Sequence, residues 1–580
     1  MVEKKELTPT SLIGGVIIAA ILGLSYPFVV LKLGIGPDLS MVSAFLGAVM
    51  LNLVAAKTRG QNKWQNNIIQ TMAGSAGATA FMCVIMAAFS YLVSNWGKDV
   101  GFDPKWWQIL MWLSCSGAIG VLFIARFRKF FLDHPRMIFA GGVASAVVIE
   151  TLDSPKESTA AASKDVSLRT RSLGIFGIAG ALISVFRDGL GWLGELTVSK
   201  GYRVGLGFDA LSFGTGMLLP INVGISYIIG ALILWQGGDT IIQYASMDVS
   251  KLGQYRAAML WLMWPATAFM ITASITSLLI NFFKNRKAAP IKANAEEENE
   301  AAEKDIPLSV TIWGTVILTI LLATVQYFNF DVSPIKTITA VAFQLVLILA
   351  GVWVLGETNS GPVSLMANAV QFLFGLIWRH DIKGNLIAAG MAGDGNSQAE
   401  QTIQTFKTGR ILGSTPWAMT VAQLIGVLIG AMSVAIMFPL LVHKYGIGGS
   451  GQLSAPTGLK LANVAVLINQ GIEAFPRGAL QASVIAIVLG VIIEFLREIR
   501  LKDKSIFFWL PNAAALGFGL ILPPSISIMM GLGAIFAYLW SRYAKESFDR
   551  YRTTVAAGLV VGEAVIAGLV LPVLTAMGWI

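Results

Sequence analysis

Charged residues are scarce in this sequence of 580 residues. Only 13% of them are Asp, Glu, Lys or Arg, and 55% are hydrophobic, whereas an ordinary soluble domain carries about 25% charged residues. This deficit excludes one large water-soluble core and indicates that lipid is the solvent for most of the surface. The sequence therefore predicts an integral membrane protein.

Cysteine and histidine are also rare. The two cysteines, Cys83 and Cys115, lie in apolar segments, and the three histidines are His134, His380 and His443. These positions give no disulfide framework and no zinc-ligand spacing. We therefore predict no resident metal and no cofactor, and direct binding of a bare transition metal is disfavoured.

Motifs for catalysis and for ATP use are missing as well. The sequence has no clustered nucleophile and base, and no Gly-x-x-x-x-Gly-Lys-Ser/Thr loop. Such constellations are what an enzyme or an ATP-driven pump would require. The sequence favours a carrier over a membrane-embedded enzyme, and a channel stays open as an alternative.

Long apolar segments recur from end to end. A helix rises about 1.5 Å per residue, so a segment of about 20 residues crosses the hydrocarbon core of a bilayer. We predict an all-α, polytopic helical bundle of about 16 transmembrane helices, with broken or re-entrant helices among them. There are 17 predicted segments, and one of the nine in the second half is interpreted as re-entrant or broken. The segments are 10–32, 37–56, 66–94, 107–126, 136–152, 172–198, 207–236, 256–283, 309–328, 334–355, 361–378, 382–403, 416–442, 456–474, 478–497, 510–541 and 553–578.

The charges between these segments predict the topology. The formal charge is +9, and the early basic residues fall on every second connection, as the positive-inside rule expects for a cytoplasmic N-terminus. We interpret the basic balance as topology in a multi-pass protein of the cell (inner) membrane, not as nucleic-acid binding. The first apolar segment has no small-residue cleavage pattern and is expected to be retained as a helix.

An internal repeat predicts two equivalent halves. The segment 209–220 (DALSFGTGMLLP) matches 512–523 (NAAALGFGLILP) at an offset of 303, and Gly230 and Gly533 keep this register. The charged stretch 284–305 then predicts a cytoplasmic linker between a first transmembrane repeat, 1–283, and a second, 306–580. Even-numbered halves would be parallel repeats, a known transporter plan. Chance similarity between glycine-rich apolar helices is the alternative.

Four polar or glycine-rich stretches predict interruptions of helices: 66–77, 390–397, 213–222 and 516–527. Interrupted backbone at membrane depth is tolerated where it lines a cavity or packs inside protein. Amides and hydroxyls there suit a peptide-like or carboxylate-rich solute, although the same residues can join helices, and 390–397 can also be a loop tip. The predicted substrate-binding residues are Asn66, Asn67, Gln70, Thr71, Asp394, Asn396, Ser397, Asn222 and Ser525.

Ionisable residues inside apolar segments predict an ion or proton route, because they are costly in lipid and usually face the bundle interior. Glu563 stands out, since its predicted span 553–578 holds no other charge. Glu494 is expected to form an exposed pair with Arg497 at a helix end. The predicted coupling residues are Glu563, Glu400, Lys407, Arg187, Asp188 and Asp209.

Four segments together resemble the oligopeptide transporter family, in a prokaryotic form related to its yellow stripe-like branch. They are 6–9 (ELTP), 66–77 (NNIIQTMAGSAG), 407–416 (KTGRILGSTP) and 510–525 (LPNAAALGFGLILPPS). The resemblance implies about 16 helices formed by duplication and proton-driven uptake of peptides or metal chelates. One departure concerns Gln401 and Thr405, which stand where prokaryotic relatives commonly carry aspartates.

These observations predict a proton-coupled symporter for small peptides or peptide-like solutes. Uptake of a metal chelate or siderophore, recognised through its organic shell, is the alternative within transport. The expected partners are the solute, protons and the lipid bilayer, with homo-oligomerisation left open.

Overall fold

A computed structural model describes residues 6–33, 39–54, 63–97, 104–153, 160–287, 306–447, 453, 455–471, 475–500, 510–571 and 574. Within these residues nearly every element is a helix. The first-half helices are α1 (Pro9–Leu33), α2 (Leu39–Val54), α3 (Lys63–Ala80), α4 (Cys83–Trp96), α5 (Trp106–Arg126), α6 (Arg128–Leu132), α7 (Ala140–Asp153), α8 (Ala160–Ser184), α9 (Ala210–Leu218), α10 (Ile221–Ala245), α11 (Val249–Leu252) and α12 (Gln254–Lys287).

The second half continues the same architecture. Its helices are α13 (Leu308–Phe330), α14 (Pro334–Thr358), α15 (Val363–Ile377), α16 (Ile382–Leu412), α17 (Pro416–Tyr445), α18 (Pro456–Gln470), α19 (Ala479–Arg500), α20 (Ala513–Gly519), α21 (Pro524–Tyr543) and α22 (Lys545–Val565). A short π-helical turn follows α8 at Val185–Gly189, and another follows α22 at Ile566–Val570.

Eleven helical segments of the described chain are long and apolar enough to cross a membrane. Helix α16 is not one of them because it is rich in polar residues, yet most of its residues are buried. A multi-pass helical membrane protein is confirmed, while the count of about 16 spans stays a prediction. Most of the predicted linker, 288–305, lies outside the described residues, and α12 continues to Lys287 across its first four positions.

The predicted span 172–198 is wrong in its last third, from residue 190 onwards. The helix ends at Gly189, and Leu196–Ser199 (β1) pairs with Val204–Leu206 (β2) in an antiparallel hairpin. Three glycines, Gly189, Gly191 and Gly194, stand at this boundary, and Gly191 has φ +66°. Glycine adopts positive φ at low cost and ends helices for this reason.

Two of the four predicted interruptions are confirmed. A break at Leu219–Pro220 separates α9 from α10, and a break at Leu520–Pro523 separates α20 from α21. In each case proline lacks the N–H that would continue the preceding helix and instead leads into the next one.

The other two predicted interruptions are wrong. Helix α16 runs unbroken through 390–397, and α3 runs unbroken through 66–77. Their glycines permit close helix crossings: a Cβ on Gly120 of α5 would lie 2.8 Å from the Cα of Gly395. The break near α3 falls instead at Phe81–Met82, between α3 and α4, where neither glycine nor proline marks it.

Helix packing is reciprocal between the halves. A Cβ on Gly230 of α10 would lie 2.5 Å from the Leu516 carbonyl of α20, while a Cβ on Gly533 of α21 would overlap the Phe213 carbonyl of α9. The two contacts are related by the 303-residue offset. Helix α8 likewise packs on α22 while α19 packs on α12. A duplicated unit would produce this reciprocity, and the prediction of two repeated halves stays a prediction.

Candidate functional site

Two polar helices cross inside the bundle and form what we call the polar seam. Along α3 the buried polar residues run from Asn66 to Thr79, and along α16 from Asp394 to Thr408. Buried polar groups are costly unless hydrogen-bonded, so their accumulation on two neighbouring helices needs an explanation. The seam consists of Asn66, Asn67, Gln70, Thr71, Ser75 and Thr79 on α3 and Asp394, Asn396, Ser397, Gln398 and Glu400 on α16, together with the half-buried Gln401 of α16.

Gln398 joins α16 to α3 at the crossing. Its Nε2 donates to the Ser75 carbonyl at 2.7 Å and to Thr79 Oγ1 at 2.6 Å, and its Oε1 accepts from Ser75 Oγ at 3.0 Å. Ser397 Oγ also donates to the Ala78 carbonyl, at 3.0 Å. These bonds fix the register of the two helices. Ser397 therefore has a role in joining helices, the alternative that the sequence left open.

Asp394 places a carboxyl group against α5. Ser116 Oγ donates to Asp394 Oδ2 at 2.5 Å, and Asp394 Oδ1 has no hydrogen-bond partner among the described residues. The Asp394 side chain is completely buried. An unpaired buried charge is costly. Binding of a proton or another cation to this carboxyl group would therefore lower the free energy of the protein substantially.

Glu400 is the second carboxyl group of the seam, less than two turns further along α16. The Asn396 Nδ2 donates to Glu400 Oε1, and the other carboxyl oxygen lies against Gly361 in the turn between α14 and α15. Neither Glu400 nor Asp394 has an ion-pair partner within the described part of the chain. The seam thus holds two buried acidic groups that accept hydrogen bonds and pair with no cation of the described residues.

The remaining predicted residues of α3 vary in how well their side chains are satisfied. Asn66 Nδ2 donates to the Ala44 carbonyl at 3.1 Å, Asn67 Nδ2 donates to Ser414 Oγ at 2.9 Å, and Thr71 Oγ1 donates to the Asn67 carbonyl at 2.7 Å. Both polar atoms of the Gln70 side chain lack a partner among the described residues. Gln70 is therefore the residue of α3 with the most capacity left for a ligand.

Gln401 and Thr405, the two departures from the family pattern, are both structurally engaged. Gln401 exchanges hydrogen bonds with Ser40 of α2, at 3.0 and 3.1 Å, and Thr405 Oγ1 donates to the Thr402 carbonyl of its own helix. Neither carries charge. Lys407 is half-buried, and its side chain packs against Gly142 of α7.

Four of the predicted coupling residues form a second group away from the seam. Arg187 donates to Glu563 Oε1 at 2.6 Å and to both carboxyl oxygens of Asp188 at 2.8 Å, and its NH1 lies 4.0 Å from Asp209 Oδ1. Glu563 Oε2 also accepts the Leu211 N–H at 2.9 Å. Arg187 and Asp188 both lie in the π-helical turn Val185–Gly189, and their side chains pair there.

Asn222 and Ser525 belong to neither group. Asn222 lies in the first turn of α10, and Ser525 lies in the first turn of α21, where its N–H donates to the Arg203 carbonyl at 3.0 Å. Both follow the proline breaks that the sequence predicted. The structure does not bring them to the seam.

A buried ion cluster was missed by the sequence reasoning. Arg136 donates to Glu494 Oε1 at 2.5 Å and to Glu498 Oε1 at 2.6 Å, and it also pairs with Glu357. Arg497 NH1 lies 3.0 Å from Glu494 Oε2. The predicted pairing of Glu494 with Arg497 is confirmed. The prediction that the pair is exposed is wrong, because the side chains of Glu494 and Arg497 are only 1% and 2% exposed.

A signal for this cluster was present in the sequence. The charged pair at 497–498 aligns with the pair at 187–188 across the repeat, so both pairs could have been treated alike. Asn512 donates to Glu357 Oε2 at 2.8 Å and caps α20, as Asp209 caps α9. Arg136 is one of the early basic residues whose positions predict the topology. Its burial depends on tertiary packing, which no local pattern shows.

Open space near the seam is small. A cavity of about 10 Å³ beside the Phe81–Met82 break is lined by residues that include Ala367, Ala389 and Gly393, and this volume holds at most about one water molecule. A larger groove of about 580 Å³ lies on the apolar outer faces of α13 and α14. The described conformation therefore encloses the seam tightly.

Buried polar residues between many membrane-crossing helices are characteristic of a membrane transport protein. The chain belongs to the oligopeptide transporter family, whose model matches residues 6–574. This confirms the family resemblance drawn from the sequence, and the function of the family is transport.

Three curated relatives carry two kinds of name. A Haemophilus influenzae protein with the provisional name of oligopeptide transporter is 23% identical, over 92% of this chain and 90% of its own length. A rice protein provisionally named metal-nicotianamine transporter YSL11 is 24% identical, over 94% and 85% of the respective lengths. The Arabidopsis thaliana metal-nicotianamine transporter YSL3 is 22% identical, over 95% and 89%.

Proposed function

We propose that this protein is a secondary active transporter that couples the entry of protons to the uptake of small peptides or peptide-like solutes. One observation carries the proposal: Asp394 and Glu400 are buried on one helix of the polar seam and have no ion-pair partner among the described residues. A carboxyl group in this position can accept a proton and release it when the surroundings change.

The ion pairs elsewhere support this choice of coupling residues. Glu563 is bonded to Arg187 and to a helix N–H, so its charge is already compensated. The three carboxylates of the Arg136 cluster are compensated in the same way. We therefore propose Asp394 and Glu400 as the primary proton carriers, with Glu563, Arg187, Asp188 and Asp209 as a separate coupling group.

The chemistry of the seam supports a polar organic solute. Asn67, Gln70 and Asn396 each have a buried amide oxygen without a partner among the described residues, and such oxygens accept hydrogen bonds from N–H groups. A peptide or a related compound presents several N–H groups.

A metal chelate is the second candidate, and the names of the rice and Arabidopsis relatives favour it. Within the described residues no group of three or more His, Cys, Asp or Glu side chains is placed to hold a metal. Amide and hydroxyl groups of the seam would instead contact the organic shell of a chelate.

We further propose the setting of this activity. The basic connections support a cytoplasmic N-terminus in the cell membrane, and the reciprocal glycine contacts support two repeated halves.

The test is uptake into proteoliposomes of a mixed pool of short peptides and metal chelates, followed by mass spectrometry with and without an inward proton gradient. We expect gradient-stimulated enrichment of one class, and its loss in Asp394→Asn and Glu400→Gln. The matched control is Asp133→Asn, because Asp133 is exposed and pairs with Arg410 at the surface. Enrichment that ignores the gradient, or that persists in both variants, would contradict proton coupling at these residues.

A further inference from the structure

Three amide side chains form a buried cluster that the sequence reasoning did not single out. Asn368 and Gln371 lie one turn apart on α15, and Asn385 lies in the first turn of α16, with exposures of 2%, 0% and 3%. Asn385 Nδ2 donates to the Gln371 backbone carbonyl at 2.7 Å, and Gln371 Nε2 donates to the Leu461 carbonyl of α18 at 3.0 Å. The cluster therefore joins three helices.

Most of the hydrogen-bonding capacity of the cluster is unused. Both polar atoms of Asn368, the Oε1 of Gln371 and the Oδ1 of Asn385 have no partner among the described residues. Unsatisfied buried polar groups are rare in folded proteins and call for an explanation. Three of these four atoms are oxygens, so the cluster mainly offers acceptors.

One member of the cluster, Asn385, lies on the same helix as the acidic residues of the seam. Asn385 precedes Asp394 by nine residues, which is about 14 Å along a helix at about 1.5 Å per residue. The small cavity beside Phe81–Met82 borders the stretch of α16 between them, since its lining includes Ala389 and Gly393. Small side chains thus separate two polar sites on α16.

We propose that Asn368, Gln371 and Asn385 form a second binding site, which takes the amine end of the transported solute; this inference rests on the proposed function. A primary ammonium group carries three N–H donors and no acceptor. It complements a cluster in which unpaired amide oxygens predominate. The cluster is neutral, so it can bind the amine and release it without separating an ion pair.

The same cluster predicts an unusual response to substitution. If Asn368 only joined helices, it would have a protein partner, and its loss would destabilise the fold. Since Asn368 has no such partner among the described residues, Asn368→Leu is expected to fold with unchanged or raised thermal stability. Its effect should appear in solute binding instead. The matched control is Asn329→Leu, because Asn329 donates to the Val325 carbonyl of its own helix at 3.0 Å.

The first experiment measures the KM for uptake of alanylalanine and of N-acetyl-alanylalanine, which lacks the ammonium group. In the wild-type protein and in Asn329→Leu, acetylation is expected to raise KM about tenfold, because hydrogen bonds to charged groups are the stronger ones. In Asn368→Leu the KM values of the two compounds should differ by less than about threefold. The effect of acetylation would then be at least about threefold smaller than in the wild type, which is the size of coupling expected for groups in contact. An equal effect of acetylation in Asn368→Leu and wild type would overturn the inference.

A labelling experiment stands independently of transport. In a background of Cys83→Ala and Cys115→Ala, Asn368→Cys should react with 2-aminoethyl methanethiosulfonate, and alanylalanine should slow this reaction at least about threefold. Absence of reaction would overturn the inference. Protection by sodium ions alone, without protection by alanylalanine, would assign the cluster to an inorganic cation and would also overturn it. Failure of the proposed function would appear differently, as absence of uptake by the wild-type protein.

Discussion

Replacing Arg136 by methionine tests whether the buried ion cluster holds the fold together. Arg136 contacts three carboxylates, those of Glu357, Glu494 and Glu498. Methionine keeps much of the volume and removes the charge. After the substitution, Arg497 would be the described cation left near Glu494 and Glu357, at 3.0 and 3.5 Å.

The expected loss is large. Removing one partner of a buried ion pair typically costs about 3–5 kcal/mol, since it leaves an uncompensated buried charge. The control is Arg410→Met, because Arg410 pairs with Asp133 at the surface with side-chain exposures of 53% and 58%. Exposed pairs contribute about 0–1 kcal/mol, so Arg410→Met should resemble the wild type.

The assay is chemical and thermal unfolding in detergent micelles, followed by the fluorescence of the 16 tryptophans. Adding Glu498→Gln to Arg136→Met should recover part of the loss, since it removes one of the carboxylates that Arg136 neutralised. If the free energy of unfolding of Arg136→Met lay within about 1 kcal/mol of the wild-type value, the buried ion cluster would not hold the fold together. An equal loss in Arg410→Met would contradict the prediction as well.

Three further predictions concern other contacts. Gly120→Ala should lower the free energy of unfolding by about 1–3 kcal/mol, because the new Cβ would lie 2.8 Å from the Gly395 Cα. Gly174→Ala should not lower it, because its Cβ would meet no neighbouring atom of the described residues within 4 Å. Equal melting temperatures of the two variants would contradict this prediction. Asp209→Ala should lose about 1 kcal/mol with the helix cap that accepts the Ser212 N–H at 2.7 Å, whereas Asp209→Asn should lose a few tenths, and unfolding in micelles would separate them. Glu563→Gln should weaken the pH dependence of uptake if this residue carries protons, and normal uptake with an unchanged pH profile would exclude that role.

Much of the fold could be predicted from the sequence because lipid imposes a simple rule. Lipid offers the backbone no hydrogen-bond partners, so each N–H and C=O group must be bonded within the protein. A long apolar segment satisfies this requirement by forming a helix, whatever packs against it. The proline-marked breaks at Pro220 and Pro523 were predictable for a similarly local reason, the missing N–H.

The errors occurred where tertiary contacts decide the structure. Glycines at 390–397 suggested a broken helix, yet the helix is unbroken, and Gly395 lets it approach Gly120 closely. Glu494 lies near a helix end, where exposure is the usual outcome. In the structure it is buried and pairs with Arg136, which lies in the connection between α6 and α7. Neither contact can be predicted from the hydrophobic pattern or from residue spacing.

The candidate site was only partly predictable for the same reason. Amides on α3 and acids on α16 were recognisable as unusual in apolar surroundings, and the structure packs these helices together. The partners Ser116 and Gln398, and the amide cluster at Asn368, lie in helices whose faces are decided by packing. Their significance depends on which atoms remain unpaired, which requires coordinates.

Proton movement driven by the solute would reveal the proposed coupling at Asp394 and Glu400. Proteoliposomes containing a pH-sensitive dye would receive the transported solute on the outside with no imposed gradient. We expect acidification of the lumen by the wild-type protein, and no acidification when Asp394→Asn and Glu400→Gln are combined. Solute uptake without any change in lumenal pH, or acidification at the wild-type rate by the double variant, would contradict it.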